Sequence, residues 1–226
     1  MHNLRFALIF AACACFLAPA VALSDSTPPA PAPTPTLPEL ASENRFVIAV
    51  TGDLQSRFAT TAQAAAAGYF RYTNEDKTGA ISWVNTSYWT SDPKHPGQLW
   101  YDVNGHLIGA DFTLPKTDNP PILWGVSASR WLTQEQHVHF GVKQPDGSVK
   151  FGGYGENSAA KIGADLAKPT PDDVVKLGKA PTASQVAFVF PFPAIWDLQV
   201  WLIPNPSGPF AEYNPNVKPS GGTKGM

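Results

Sequence analysis

Cysteine is nearly absent from this chain. Its two, Cys13 and Cys15, sit near the start of 226 residues, inside a stretch that reads as a cleavable leader. A mature protein without them has no disulfide, no thiol nucleophile and no cysteine-bound metal. Small exported domains often need disulfides, but about 170 residues bury an adequate core without them. Charge of one sign is missing too. The formal net charge is −2, with no acidic or basic block, which excludes the electrostatic footprint of a nucleic-acid partner or of an anionic membrane surface. Long apolar runs are also lacking. The longest, Phe6 to Leu17, is too short to span a bilayer comfortably, so no integral membrane segment is expected after cleavage.

What is present begins with that leader. Arg5 supplies a positive start, Phe6 to Leu17 the apolar centre, and Ala20-Val21-Ala22 a cleavage tripeptide. Residues 1–22 are therefore expected to be a signal peptide, with lipidation at Cys13 as the other possibility, and the protein to be periplasmic or secreted. Residues 23–44 carry Pro28, Pro29, Pro31, Pro33, Pro35 and Pro38 among Ala and Thr, a composition that favours an extended polyproline linker. Apolar residues make up 43% of the chain and tryptophans number seven, which marks a folded domain, expected over 45–217, before a polar flexible tail at 218–226.

Within that domain Phe46 to Val50 reads as a short strand. Asp53 reads as the cap of one helix, with Leu54, Phe58, Ala62, Ala65 and Tyr69 on one face and Gly68 at its stop. Strand signals then dominate. Ile81 to Thr90 is β-branched and aromatic. Leu99 to Phe112 is a hairpin around Asn104-Gly105, the pair favoured by a type I′ turn. Gln136 to Val142 and Ser148 to Tyr154 make a second hairpin around Pro145-Asp146-Gly147. Asn157 to Ser184 is a polar excursion with a helical turn at Asp172 to Leu177. Val186 to Val217, the most apolar and aromatic stretch, is expected to supply two central strands. Together these give a mainly β, α+β fold: a single antiparallel sheet, sandwich or open barrel with one N-terminal helix packed on it.

One histidine cluster offers chemistry. Alternation along a strand puts Glu135, His137 and His139 on one face, with the two imidazoles about 7 Å apart along the strand. Two ring nitrogens and a carboxylate can hold a divalent transition metal. If Val142 faces Val149, then His139 faces Gly152 and His137 faces Tyr154, and the glycine leaves space above His139. His106, Asp111 and Glu156 are candidate further ligands if folding brings them near. Asp92, Asp102 and Asp111 contain a carboxylate pair only if folding joins them. Tryptophans stack on flat ligands as well as filling cores, so Trp89 and Trp131, which neighbour polar loops, join Tyr154 as candidate ligand-binding residues. Val126-Ser127-Ala128-Ser129-Arg130 lacks the glycines of a nucleophile elbow, and Gly152-Gly153-Tyr154-Gly155-Glu156 lacks the Lys-Ser/Thr of a phosphate loop.

Several segments together resemble a family of uncharacterised exported bacterial proteins. They are Thr51-Gly52-Asp53-Leu54, Ala67-Gly68-Tyr69, Val84-Asn85, Leu99-Trp100-Tyr101-Asp102 and, most specifically, the closing run from Val200-Trp201-Leu202 through Asn205-Pro206-Ser207-Gly208 to Asn214-Pro215. The resemblance covers most of residues 51–217 and implies no activity. It implies that relatives often carry histidines at the positions of Ser82 and Gln199, so a site built on those two would be absent from this chain. The sequence thus points to a non-catalytic exported binding or structural module, with a small molecule, an envelope component or a divalent metal as its partner. The alternative is a metal-dependent enzyme using Glu135, His137 and His139.

Overall fold

The computed structural model describes residues 40–90 and 92–221. The leader, and the prolines of the linker from Pro28 to Pro38, lie outside the described residues. Helix α1 spans Ala41–Phe58, so it already occupies the last residues of the stretch expected to be linker. It also replaces the strand expected at Phe46 to Val50. The reason is a buried stripe, Glu43, Phe46, Val50, Leu54 and Phe58, whose three- and four-residue spacing is helical. A glutamate at its head hides that period from a hydrophobicity reading. Asp53 is mid-helix and pairs with Arg57 one turn on. Thr60 caps a separate short helix, α2 (Thr61–Ala66), through Gln63. The expected continuous face is therefore broken: Ala64 is buried, while Ala62 and Ala65 are exposed.

Glu43 anchors α1. Fully buried, it accepts from Arg130 Nη2 (3.1 Å), Ser127 N (3.0 Å) and Leu40 N (3.0 Å). Burial opposes its charge, but Arg130 and the two backbone N–H groups outweigh it and hold the carboxyl below its ordinary range.

Two antiparallel sheets follow. The first contains β1 (Phe70–Arg71), β2 (Ile81–Val84), β3 (Gln98–Tyr101), β4 (Leu107–Pro115), β5 (Leu132–Gln134) and β9 (Ile195–Trp201), in the order β1-β2-β3-β4-β9-β5. The second contains β6 (His137–Lys143), β7 (Val149–Tyr154) and β8 (Val186–Phe192), in the order β7-β6-β8. Both are open sheets, not a barrel. Of the two strands in the aromatic C-terminal stretch, β9 is interior to its sheet and β8 lies at an edge. The sheets are joined by one bent ladder. Gln134 pairs with Ile195 and His137 with Phe192, so the register is unchanged across a bend at Glu135-Gln136 and Pro193-Ala194.

The β3–β4 turn departs from type I′. Gly105 has φ of 80°, whereas Asn104 is not in the left-handed region. Gly105 N donates to Asp102 O at 3.0 Å, so a type I turn followed by a left-handed glycine makes the connection. In the second hairpin Gln144 N meets Ser148 O at 2.8 Å. That closure shifts the pairing one residue from the expected register: His139 faces Gly153, and Val138 faces Tyr154.

The first sheet buries one face beneath α1. Leu99, Tyr101, Ala110, Phe112, Leu198 and Val200 pack there with Phe46, Val50, Leu54 and Phe58. The second sheet packs Val138, Phe140 and Val142 with Ala159 and Val174, supplied by α3 (Glu156–Ile162) and α4 (Pro171–Lys176). The C-terminal stretch stays engaged beyond Val217, since Ser220 N donates to Glu75 at 2.7 Å. Among the described residues, no helix is long and apolar enough to cross a membrane.

Candidate functional site

The other face of the first sheet is polar yet buried. Pairing puts Asp111 opposite Gln199 and Thr113 opposite Asp197, so alternate residues of β4 and β9 turn all four side chains to one side. Gln98 of β3 lies opposite Asp111. Trp100 belongs to the same face, and its indole takes the space above Gly109, where an added Cβ would stand 2.2 Å from the ring. That placement lets Trp100 Nε1 donate to Asp111 Oδ2 at 2.8 Å.

This face floors a cavity of about 350 Å³. Its walls include Tyr72, His137, His139 and Trp201, while Ser82 and Gln199 also line it. Tyr72 donates its hydroxyl to Gln98 Oε1. Two carboxylates sit at the floor, Asp111 at 3% exposure and Asp197 at 1%. Each has one buried oxygen, Oδ1, without a hydrogen-bond partner among the described residues. Burial is the main cause that raises the Asp111 carboxyl far above its ordinary range, with Asp197 adding to it and the Trp100 bond opposing it. Burial likewise pushes Asp197 up to about 7, against the opposing effect of Gln199 and Gln134.

The histidines form the opposite wall. Strand alternation sends Val138 and Phe140 into the second core and His137 and His139 into the cavity. The ring of His137 stacks on Phe192 at 4.4 Å, and that of His139 meets Tyr72 edge-on at 4.6 Å. Burial lowers both imidazoles, His139 to about 3 with the neighbouring His137 contributing, so both rings are neutral near pH 7. His137 Nδ1 lies 2.7 Å from the Glu135 carbonyl, which can only accept. Its proton is therefore on Nδ1, and Nε2 presents a lone pair. His139 Nε2, at 2.9 Å, donates to it. The pair is a hydrogen-bonded unit in which a metal would have to displace a proton.

The expected Glu135-His137-His139 constellation is thus only partly assembled. The bend before β6 takes the Glu135 side chain out to Lys116, and the carboxylate is 77% exposed. Among the described residues no cluster of three or more His, Cys, Asp or Glu could hold a metal. His106 is bonded to Asp102 in the hairpin turn, and Glu156 opens α3. Asp111 is the one suggested further ligand that lines the cavity. Asp92 is bonded to His95, so the carboxylate that joins Asp111 is Asp197 instead.

None of the three residues expected to bind a ligand lines this cavity. Trp131 is 4% exposed and packed in the core beneath α1. Tyr154 shares the face of Val138 and fills the second core, its hydroxyl buried without a partner. Trp89 packs edge-on against Phe192 at 4.9 Å. Each is consumed by packing: Trp131 by the stripe of α1, Tyr154 by the one-residue register shift, Trp89 by the aromatic seam between the sheets. Set against known family models, curated proteins and solved structures, the chain matches none.

Proposed function

We propose that this protein is an exported, non-catalytic binding module, and that its ligand is a small polar molecule held in the cavity between the polar face of the first sheet and the His137–His139 pair. The observation that carries this reading is the pair of buried carboxylates, each with a buried oxygen left unpartnered. Unsatisfied polar atoms at this depth cost about 1–3 kcal/mol each. These two belong to side chains that line one cavity, where a ligand would complete the bonding. Export is supported by the leader at residues 1–22 and predicts a mature chain lacking Met1 by mass spectrometry.

The test is a fragment screen followed by amide and indole NMR. Fragments that bind should move the Trp100 and Trp201 indole resonances and those of Asp111 and Asp197. Shifts confined to residues outside the cavity would overturn the reading.

A second reading retains a divalent metal at His137 and His139, and the approach of their Nε2 atoms to 2.9 Å favours it. Zinc or copper would then raise the melting temperature of the wild type and leave a His137→Ala/His139→Ala double variant unmoved. Identical melting of the two with metal or chelator removes that reading and leaves the cavity intact.

A further inference from the structure

Building on the cavity as a ligand site, we infer that its ligand class is a small organic cation carrying a primary ammonium group, seated between Asp111 and Asp197 with its carbon chain against Trp100, Trp201 and Phe192. The bonding left open at the floor requires donors. An ionised carboxylate only accepts, and an ammonium supplies three N–H groups, enough to bridge two carboxylates.

The charge of the lining points the same way. Among the described residues, Asp76, Asp111, Asp197 and Glu212 line the cavity against a single lysine, Lys77. Lys77 is already committed, its Nζ 3.2 Å from Glu212 and 4.9 Å from the centre of the Tyr213 ring. Asp76 Oδ1 is taken by Thr78 N at 2.8 Å and by the Thr78 hydroxyl at 2.6 Å. Among the described residues, no cation pairs with Asp111 or Asp197. An anion would disfavour the ionised carboxyls, and a neutral alcohol would bond the oxygens without stabilising their ionised forms, as an ammonium does. The aromatic walls suit both an alkyl chain and the field of an ammonium. A volume of about 350 Å³ takes roughly ten non-hydrogen atoms, at about 30 Å³ per water-sized unit of liquid.

Binding must be linked to protons. With burial favouring the protonated carboxyls, an ammonium that stabilises the ionised forms expels a proton as it enters. The ionisable groups facing the pair are Tyr72, Asp76 and Lys77 around β1 and β2, His137 and His139 from β6, and Glu212 from the C-terminal segment. The two imidazoles are already neutral, so the carboxyl pair dominates the response near neutral pH. Affinity should rise as pH increases through the neutral range, where Asp197 releases its proton.

Titration calorimetry and indole NMR with butylammonium, 1,4-butanediol and butyrate provide the test. Butylammonium should bind, move the Trp100 indole resonance, bind more tightly at pH 8 than at pH 5, and release a proton, detected as a dependence of the heat on buffer ionisation enthalpy. Asp197→Asn and Asp111→Asn should each weaken it roughly 30-fold or more, the loss expected for removing one member of a buried charge pair. Asp111→Asn keeps an acceptor for Trp100, so a folding defect in one variant does not spoil the other. If butanediol or butyrate binds as tightly while moving Trp100, the ammonium inference falls and the cavity stands. If none of the three moves Trp100 while the fragment screen does, the same conclusion follows. Loss of both responses overturns the cavity as well.

Discussion

Replacing Asp197 by asparagine should make this protein more stable at pH 8. The carboxyl is 1% exposed and pushed up to about 7 by burial, whereas an unfolded chain releases the same proton near 3.9. Between those values the folded state holds a proton that the unfolded state has lost. The unfolded state therefore binds fewer protons, and stability falls as pH rises through this window. The gap corresponds to a few kcal/mol, on the order of 1.4 kcal/mol per pH unit, which builds up as a penalty from about pH 4 to about pH 7. An amide has the same shape and no charge to desolvate, so Asp197→Asn should match the wild type at pH 4 and exceed it at pH 8 by up to that amount. With a urea slope of roughly 2 kcal/mol per molar, the unfolding midpoint at pH 8 should rise by as much as about 2 M. Urea unfolding of both proteins from pH 4 to 9 reads this directly, and the difference between them cancels other titrating groups such as Glu43. Parallel profiles, with a constant offset across the range, would refute the claim that Asp197 is forced toward its neutral form.

Two further outcomes follow from the packing. Trp201 is 2% exposed, stacked edge-on against Trp100 at 5.4 Å, and donates to the Ala211 carbonyl at 2.7 Å. Trp201→Ala should cost about 3–5 kcal/mol, and an unmoved denaturation midpoint would show that this stretch is not core. Glu43→Ala removes the buried acceptor shared by Arg130, Ser127 N and Leu40 N and should cost about 1–3 kcal/mol. Because the Glu43 carboxyl is lowered on folding, its contribution is present above the ordinary glutamate range and is lost as pH falls through the folded value. The wild type should lose stability on acidification where Glu43→Gln does not, as a pH series of melting temperatures would reveal.

The β content, the two hairpins and the burial of Trp201 were legible because alternation and turn residues are local signals. The first helix was not. Its stripe passes through Glu43, a charge that Arg130, 87 residues away, helps make tolerable at depth, while Phe46-Val47-Ile48-Ala49-Val50 read alone is a strand. The division into two sheets was equally hidden. Leu132–Gln134 and His137–Lys143 are almost contiguous, and the bend between them shows only as a break in side-chain parity. That same break explains the fate of the histidine site. Parity along a straight strand puts Glu135 beside His137, but the bend sends its carboxylate to Lys116.

The carboxylate pair leaves a fainter trace that the alternation rule could have caught. In Ile195-Trp196-Asp197-Leu198-Gln199-Val200-Trp201 the polar residues fall two apart on one side of a strand that is otherwise apolar, and Asp111 sits likewise in Leu107–Pro115. A charge on an interior strand of a buried sheet is expensive, so its presence asks for a partner. No lysine or arginine occurs in either strand, and neighbouring strands bring glutamine, tryptophan and serine rather than a cation. The missing positive charge cannot be read from one segment, because it emerges only when β4 and β9 pair and Asp111 finds Asp197 instead of an arginine. The fold therefore places a carboxyl floor, without a cation among the described residues, beneath two neutral imidazoles, a combination that packing alone does not require and that a donor-bearing ligand would complete.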